Sequence, residues 1–426
     1  MSRKQNILTP VAAAAGIYIL SLFAVACACL SILSVKLGNA PVMPWEQLIP
    51  LSVYAAGIPL ALIWLRALGW KGDAGLVGAV ILLCGMGLVI QFRMGSFSQG
   101  LKNPLALAPF PIGLAAFIAG ATLTAKGRGT WLAKTGGLAY LAAAGVLAAM
   151  MLLGRRYRGG IYMPGNMNPS EVVKPLLVFF LAAYLSRRQK EFSETQNGIP
   201  VPPFLSLLGL VFLWAGPMIL TILLKDLGLM MLLNAILIVM LFAVARSTGY
   251  LAIGLAAATA AGFGMRFLSS NARARFDVWL HPFADPTGKG WQILQGLSAM
   301  YSGGAWGSGL GSGVPQTVPI VSSDFVYAAL AEEIGLVGCA LLLMVYAVLF
   351  SRGLRAAGAA RTPFERLLCV GLTASIAVQT LLNVAGVTKA LPMTGITLPF
   401  ISHGGSSLIT TLLVAGLLTG LSDRKG

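Results

Sequence analysis

Run after run of about twenty apolar residues fills this chain, and that pattern decides its solvent. A helix needs roughly 20 apolar residues to cross a bilayer, and only helices and closed barrels satisfy every backbone polar group there. About twelve such runs are readable, near 11–35, 47–65, 74–91, 104–124, 131–153, 170–186, 204–224, 227–245, 248–268, 324–350, 364–386 and 405–421. With 10% charged residues and a mean hydropathy of +0.83, the chain has too little polar surface to cover a soluble globule. The expected fold is all-α: a polytopic integral membrane protein of about 12 transmembrane helices. No repeat and no low-complexity linker divides residues 1–426, so a single transmembrane domain is expected.

The first run follows "SRK", exceeds an ordinary signal-peptide core and meets no small-residue cleavage site, so it is expected to be retained. A formal charge of +17 would suggest nucleic acid in a soluble protein. Here the basic residues sit mainly in short loops between runs, and the membrane removes the need for a nucleic-acid partner. Placing both termini in the cytoplasm puts Arg66, Lys71, Lys126, Arg187, Arg188, Lys190, Arg352 and Arg355 inside, together with Arg3, Lys4, Arg424 and Lys425 at the ends. That is the orientation the positive-inside rule favours. The five cysteines lie within the runs and form no C-x-x-C, which argues against a disulfide framework or a zinc site.

Three polar interruptions stand out: "RRYRGGIYMPGNMNPSE" at 155–171, the long stretch 269–321, and "TKALPMTGITLPFISHGGSS" at 388–407. All three fall on the extracytoplasmic side of that topology. Broken backbone near membrane depth survives only against protein or a wet cavity, so a cavity open to the outside is expected.

Ionisable residues near the membrane interior tend to be paired. Glu171 and Lys174, at i and i+3, share one helical face and suit an ion pair. Asp226 suits a helix N-cap. Glu332 and Glu333 lie within a run, so at least one needs a buried partner. Asp285 differs, because "HPFADPTGKGWQ" at 281–292 flanks it with Pro282, Pro286, Gly288 and Gly290, and no helix interior claims it. His281 and His403 lack the companions of a metal site, and no phosphate-binding G-x-x-x-x-G-K-[ST] motif is present.

Six ordered stretches resemble one family. They are "NPSEVVKPLLVFFLAAYLS", "KDLG" at 225–228, "DPTGKGWQ", "GAWGSGLGSG" at 304–313, "SSDFVYAALAEEIGLVG" at 322–338, and "TGITLPFISHGGSSLI" at 394–409. Together they are similar to the SEDS proteins (shape, elongation, division and sporulation), over a core of about 155–420. Asn168, Lys225, Trp291 and His403 stand where that family usually has Gln, Pro, Tyr and Tyr. Five runs precede the P-S-E helix where the family has three, which points to additional N-terminal helices.

The resemblance implies a peptidoglycan glycosyltransferase that polymerises lipid II, the undecaprenyl-pyrophosphate-linked precursor, at the outer face of the bacterial cytoplasmic membrane. It also implies a class B penicillin-binding protein as partner. Asp285 then takes the place of the family's essential loop carboxylate, the general base for the acceptor hydroxyl. Lys389, Arg275 and Lys174, with Glu171 beside it, become the candidate substrate-binding residues for the pyrophosphate. A divalent cation would serve the same charge, but the sequence offers no metal ligand set. Two other readings remain open: a flippase for lipid-linked precursors, and a non-catalytic scaffold for the transpeptidase.

Overall fold

The computed structural model describes residues 9–36, 45–98, 103–157, 160–162, 168–196 and 199–423. The ends carrying Arg3, Lys4, Arg424 and Lys425, and the stretch 163–167, lie outside the described residues. The long helices are α1 (Pro10–Lys36), α2 (Ile49–Ala67), α3 (Ala74–Arg93), α4 (Pro109–Thr124), α5 (Gly136–Leu153), α6 (Ser170–Arg187) and α7 (Phe204–Leu223). They continue with α8 (Leu227–Ala245), α9 (Thr248–Leu268), α10 (Ser270–Leu280), α11 (Trp291–Gly303), α12 (Val326–Gly358), α13 (Pro363–Val387) and α14 (Gly405–Leu421). The described strands form two antiparallel hairpins, β1 (Arg155–Tyr157) with β2 (Gly160–Tyr162) and β3 (Thr195–Gln196) with β4 (Ile199–Pro200). In the first, Arg156 pairs with Ile161.

Every apolar run falls on a helix, but a count of twelve crossings is not established. Among the described residues nine helices are long and apolar enough to cross a membrane by length and composition. Thr248–Gly264 and Gly405–Leu421 are shorter apolar helices. The 18-residue α6 carries Glu171, Lys174 and Arg187, and those charges lower its apolar character. The stretch 269–321 also differs from the long loop expected, because it holds α10 and α11. "SNARARFDVWL" is too polar to read as a crossing, yet Ser269 caps it by accepting from the Ala272 amide at 3.4 Å. The apolar face of α11 (Ile293, Gly296, Ala299, Gly303) is buried, and Gly296 and Gly303 lie against α12 and the residue preceding it.

Local signals explain where several helices begin. Asp73 accepts from the Gly75 and Leu76 amides at 2.8 and 3.3 Å, and Asp226 accepts from Leu229 at 2.9 Å. Thr362 accepts from Glu365 at 3.1 Å, with Pro363 opening α13. Each cap satisfies an amide that the helix itself leaves orphaned. In their most apolar windows α3 and α13 are 83% and 72% buried, against 22% for the helices at 131–153 and 204–223. The first two therefore form the middle of the bundle, and the latter two turn most of their surface to lipid. Helices α4 and α14 approach most closely through small residues: a Cβ on Gly416 or Gly420 would collide with the backbone at Phe117 or Ala121. Gly416-x-x-x-Gly420 is the small-residue spacing that lets membrane helices touch backbone to backbone.

Helix α12 is broken at Gly335, whose φ of 67° and ψ of −175° leave the helical region. The break frees backbone groups that lipid cannot satisfy, and the glycine-rich stretch 304–313 takes them up. Ser308 and Gly309 donate to the Glu332 and Glu333 carbonyls at 2.8 and 3.0 Å, while Leu336 and Val337 donate to Gly304 and Ala305, both at 3.0 Å. The two acidic side chains fold back on the same strap. Glu332 accepts from Val314 at 2.8 Å and Glu333 from Gly311 at 2.7 Å. Arg93, at the end of α3, closes the knot with 2.6 Å bonds to Glu333 and to the Gly313 carbonyl. Arg93 is thus the buried charge partner of Glu333, while Glu332 is held by the Val314 amide.

Arg93→Met leaves Glu333 charged and unpaired in the interior, and should cost about 3–5 kcal/mol. The thermal midpoint in detergent is expected to fall by several degrees, whereas Gly16→Ala, where an added Cβ meets nothing within 4 Å, leaves it unchanged. An unaltered midpoint for Arg93→Met would mean that the strap does not depend on this pair.

Candidate functional site

Asp285 sits at the tip of an arm built from α10 and a short turn, Pro282–Ala284. Its side chain is exposed, but it is not free to wander. One carboxylate oxygen accepts from the Gly288 amide and the other from the Lys289 amide, both at 3.0 Å, and its carbonyl accepts from Gly290 at 2.9 Å. A Cβ on Gly288 would strike the Asp285 carboxylate, and one on Gly290 would strike the Pro282 carbonyl. The glycines of "DPTGKG" therefore let the loop close around the acid. Each carboxylate oxygen keeps a further lone pair, so the group is aimed and still able to take a proton.

The arm is docked at its base. Arg275 donates to the Met393 carbonyl at 3.1 Å, and the Trp279 indole N–H donates to the Lys389 carbonyl at 3.0 Å. Both acceptors belong to the third polar interruption, which is itself anchored from below. Asn383 donates to the Asp324 and Ile396 carbonyls at 2.9 and 2.7 Å, and Gln379 donates to the Thr397 carbonyl at 3.0 Å. His403 and Ser402 tie the same segment to Ser322 and Ser323 through bonds of 2.8 and 2.6 Å. The second and third interruptions are thus interleaved. Among the described residues the first reaches them through α6, where buried Lys174 pairs with Glu171 and also donates to Gln379 at 2.7 Å.

Beneath the arm lies a cluster of charges. Burial pushes the Asp324 carboxyl up to about 6, with Ser323 and the Arg275 charge opposing. Asp226 is likewise raised by burial, against its cap bond to Leu229 and the charges of Arg275 and Lys174, while Glu171 adds to the rise. Burial lowers Arg275, and Asp226 and Asp324 oppose that. His403 is pulled down by burial as well, which favours a neutral ring. Of the residues expected from the sequence, Arg275 and Lys389 lie at the two ends of the docking contact, and Glu171 and Lys174 form the floor. Asp285 stands outside both and is joined to them through α10. Lys389 is half-buried at a φ of 62°, and no ion pair engages it among the described residues.

Asp324, Gln379, Asn383 and Trp279 carry much of this arrangement and were not singled out by the sequence. A signal existed for two of them, since Gln379 and Asn383 are polar residues at i and i+4 in an otherwise apolar run. Among the described residues no group of three His, Cys, Asp or Glu side chains comes together as a metal site.

Residues 158–425 match the model of the cell cycle protein family FtsW/RodA/SpoVE. The chain belongs to this family. A peptidoglycan glycosyltransferase RodA of Mycobacterium bovis is 35% identical over 366 residues, 82% of this chain and 78% of the relative. Stage V sporulation protein E of Bacillus subtilis is 37% identical over 261 residues, 60% of this chain and 69% of its own. Among solved structures, a chain of a peptidoglycan synthase complex superposes with a TM-score of 0.64 at 26% identity, covering 82% of this chain and 97% of that one. The Thermus thermophilus rod shape determining protein RodA superposes at 0.56 with 25% identity, over 82% and 96%. The family match takes in every charged residue of the arm, the docked segment and the floor, whereas Arg93 lies before it. Part of this chain has no counterpart in either solved structure.

The raised carboxyl of Asp324 has a consequence for stability. A carboxyl whose folded pKa exceeds its unfolded value stabilises the fold when protonated; that contribution is complete below about pH 4 and is lost as pH rises through about 6. Asp324→Asn cannot ionise, so its thermal midpoint should gain on the parent between pH 4 and 7 and not below. A difference that does not vary with pH would contradict the assignment.

Proposed function

We propose that this chain is a peptidoglycan glycosyltransferase that polymerises lipid II, with the arm of Asp285 as its catalytic element. One observation carries the residue assignments: the exposed, hydrogen-bonded Asp285 stands on a helix docked to the segment that bears Lys389. The 35% identity to a peptidoglycan glycosyltransferase RodA over 82% of the chain supports the reaction class.

In this reading the donor is a glycan on undecaprenyl pyrophosphate and the acceptor is lipid II. Asp285 takes the proton of the acceptor 4-hydroxyl as its oxygen attacks the donor anomeric carbon. The carbon–oxygen bond to pyrophosphate breaks, the configuration inverts, and the leaving group departs with the bonding electrons. Lys389, which no ion pair engages among the described residues, meets the negative charge that develops there. Arg275 is occupied with Met393 and flanked by acidic charges, so its part is to hold the segment behind Lys389. Glu171 and Lys174 are engaged with each other and with Gln379, and we assign them to the floor that carries this segment.

The positive-inside pattern supports cytoplasmic termini and an extracytoplasmic site. We assign the SEDS core to about 155–420, preceded by additional N-terminal helices. A class B penicillin-binding protein is the expected partner, and the likeness to a chain of a peptidoglycan synthase complex supports it.

Glycan-strand formation from lipid II by the purified protein, alone and with its candidate transpeptidase, tests this reading. The parent should make polymer, and Asp285→Ala should lose about 10²- to 10⁴-fold in rate, the usual worth of a general base. Equal polymer from both would remove Asp285 as the base. No polymer from either, with the partner present, would favour a flippase or a scaffold.

A further inference from the structure

The docking contact joins two groups that the proposed reaction needs on opposite sides of one reacting carbon. Asp285 lies six residues beyond Trp279 on the same arm, and the acceptor of the Trp279 indole N–H is the backbone carbonyl of Lys389 itself. We propose that Trp279 is a positioning residue that clips the base-bearing arm to the cation-bearing segment, so that Asp285 and Lys389 keep a fixed relation. This rests on the polymerase reading and deepens it.

The arm's other attachments do not fix that relation. On one side α10 leans on α9, through Phe263 against Phe276 with ring centroids 5.7 Å apart and Arg266 to Asp277 at 3.1 Å. These contacts hold the arm to its own preceding helix, and Ala272, buried against Met230, seats its first turn on α8; neither attachment reaches the segment that bears Lys389. Among the described residues, Trp279 and Arg275, one turn apart on α10, are the side chains of the arm that reach across to 389–393 by hydrogen bonds. Trp279 is the peg nearer to Asp285. Its ring is set edge-on to Phe276 at 6.1 Å and 79°, which points the indole N–H in one direction.

The acceptor side is equally constrained. Lys389 has a φ of 62°, uncommon for a residue with a side chain. Its amide bonds back to Gly386 at 3.4 Å, and the Leu391 amide returns to Ala385 at 3.0 Å. The Lys389 carbonyl, having no helix to continue, is free to accept from the arm. A bond to a backbone carbonyl requires a donor and not a charge, and it places the Lys389 backbone without engaging its ammonium. The ammonium is thereby left for the leaving phosphate.

Two variants remove the donor: Trp279→Phe, which keeps a ring against Phe276, and replacement of Trp279 by 3-benzothienylalanine, which keeps the indole shape with sulfur in place of N–H. Two readouts are taken in lipid nanodiscs: the kinetics of polymer formation, and amide hydrogen exchange by mass spectrometry. The expected result is a fall in kcat of roughly ten- to a hundredfold, the scale of a small misplacement of reacting groups. KM for lipid II should be unchanged, and exchange should quicken in 281–292 and in 388–395 together while the bundle helices stay as protected as in the parent. Parental kcat and exchange in the benzothienylalanine protein would overturn the proposal. So would faster exchange confined to one of the two segments, or spread through the bundle as a loss of packing would spread it. If the parent makes no polymer, the polymerase reading fails, and the paired exchange response still decides whether the clip exists.

Discussion

Lipid offers no hydrogen bonds, and that constraint governs how this chain can carry irregular backbone inside a bundle of helices. Wherever a helix stops at depth, another part of the chain must supply its missing partners. The break at Gly335 is knitted to the strap 304–313, which Arg93 and Glu333 lock in place. The broken segment 394–398 is held in the same way by Gln379 and Asn383 of α13. One well-buried helix on each side, α3 and α13, thus provides the polar side chains that make non-helical backbone tolerable. The site is built on what these helices hold still.

From that base the arrangement rises in layers. Glu171, Lys174 and Gln379 form a buried polar floor, on which the segment bearing Lys389 rests. Asp226, Arg275 and Asp324 form the next layer, where burial disfavours charge on each group while the opposite charges favour it. Above them the arm carries Asp285, exposed, with its carboxylate fixed by two loop amides. In the proposed reaction the substrate's pyrophosphate and sugar meet at the top of this stack. The energy for bond formation is in the donor, so the protein's contribution is alignment, a base and a counter-charge.

Much of this was readable in the sequence because it is local or periodic. Apolar runs gave the helices, the Asp226 cap follows from its neighbours, and the Glu171–Lys174 pair follows from i, i+3 spacing. The glycines around Asp285 announced a loop. What stayed hidden depends on distance along the chain. Arg93 meets Glu333 across 240 residues and Trp279 meets Lys389 across 110, and no spacing rule reaches so far. Helices α10 and α11 escaped notice for another reason: at 11 and 13 residues they are too short to span, and their surroundings are rich in Gly, Pro and Ser. The number of crossings escaped the sequence because charges in α6 and the shorter apolar stretches of α9 and α14 blur the criterion that defines a span.

The most direct measurement is a structure of the protein in nanodiscs with a non-reactive lipid II analogue bound. It should place the acceptor 4-hydroxyl within hydrogen-bond reach of the Asp285 carboxylate, with the donor pyrophosphate against the Lys389 ammonium. A sugar and pyrophosphate bound elsewhere, with the Asp285 carboxylate turned to solvent and Lys389 untouched, would contradict the assignment of the arm as the catalytic element.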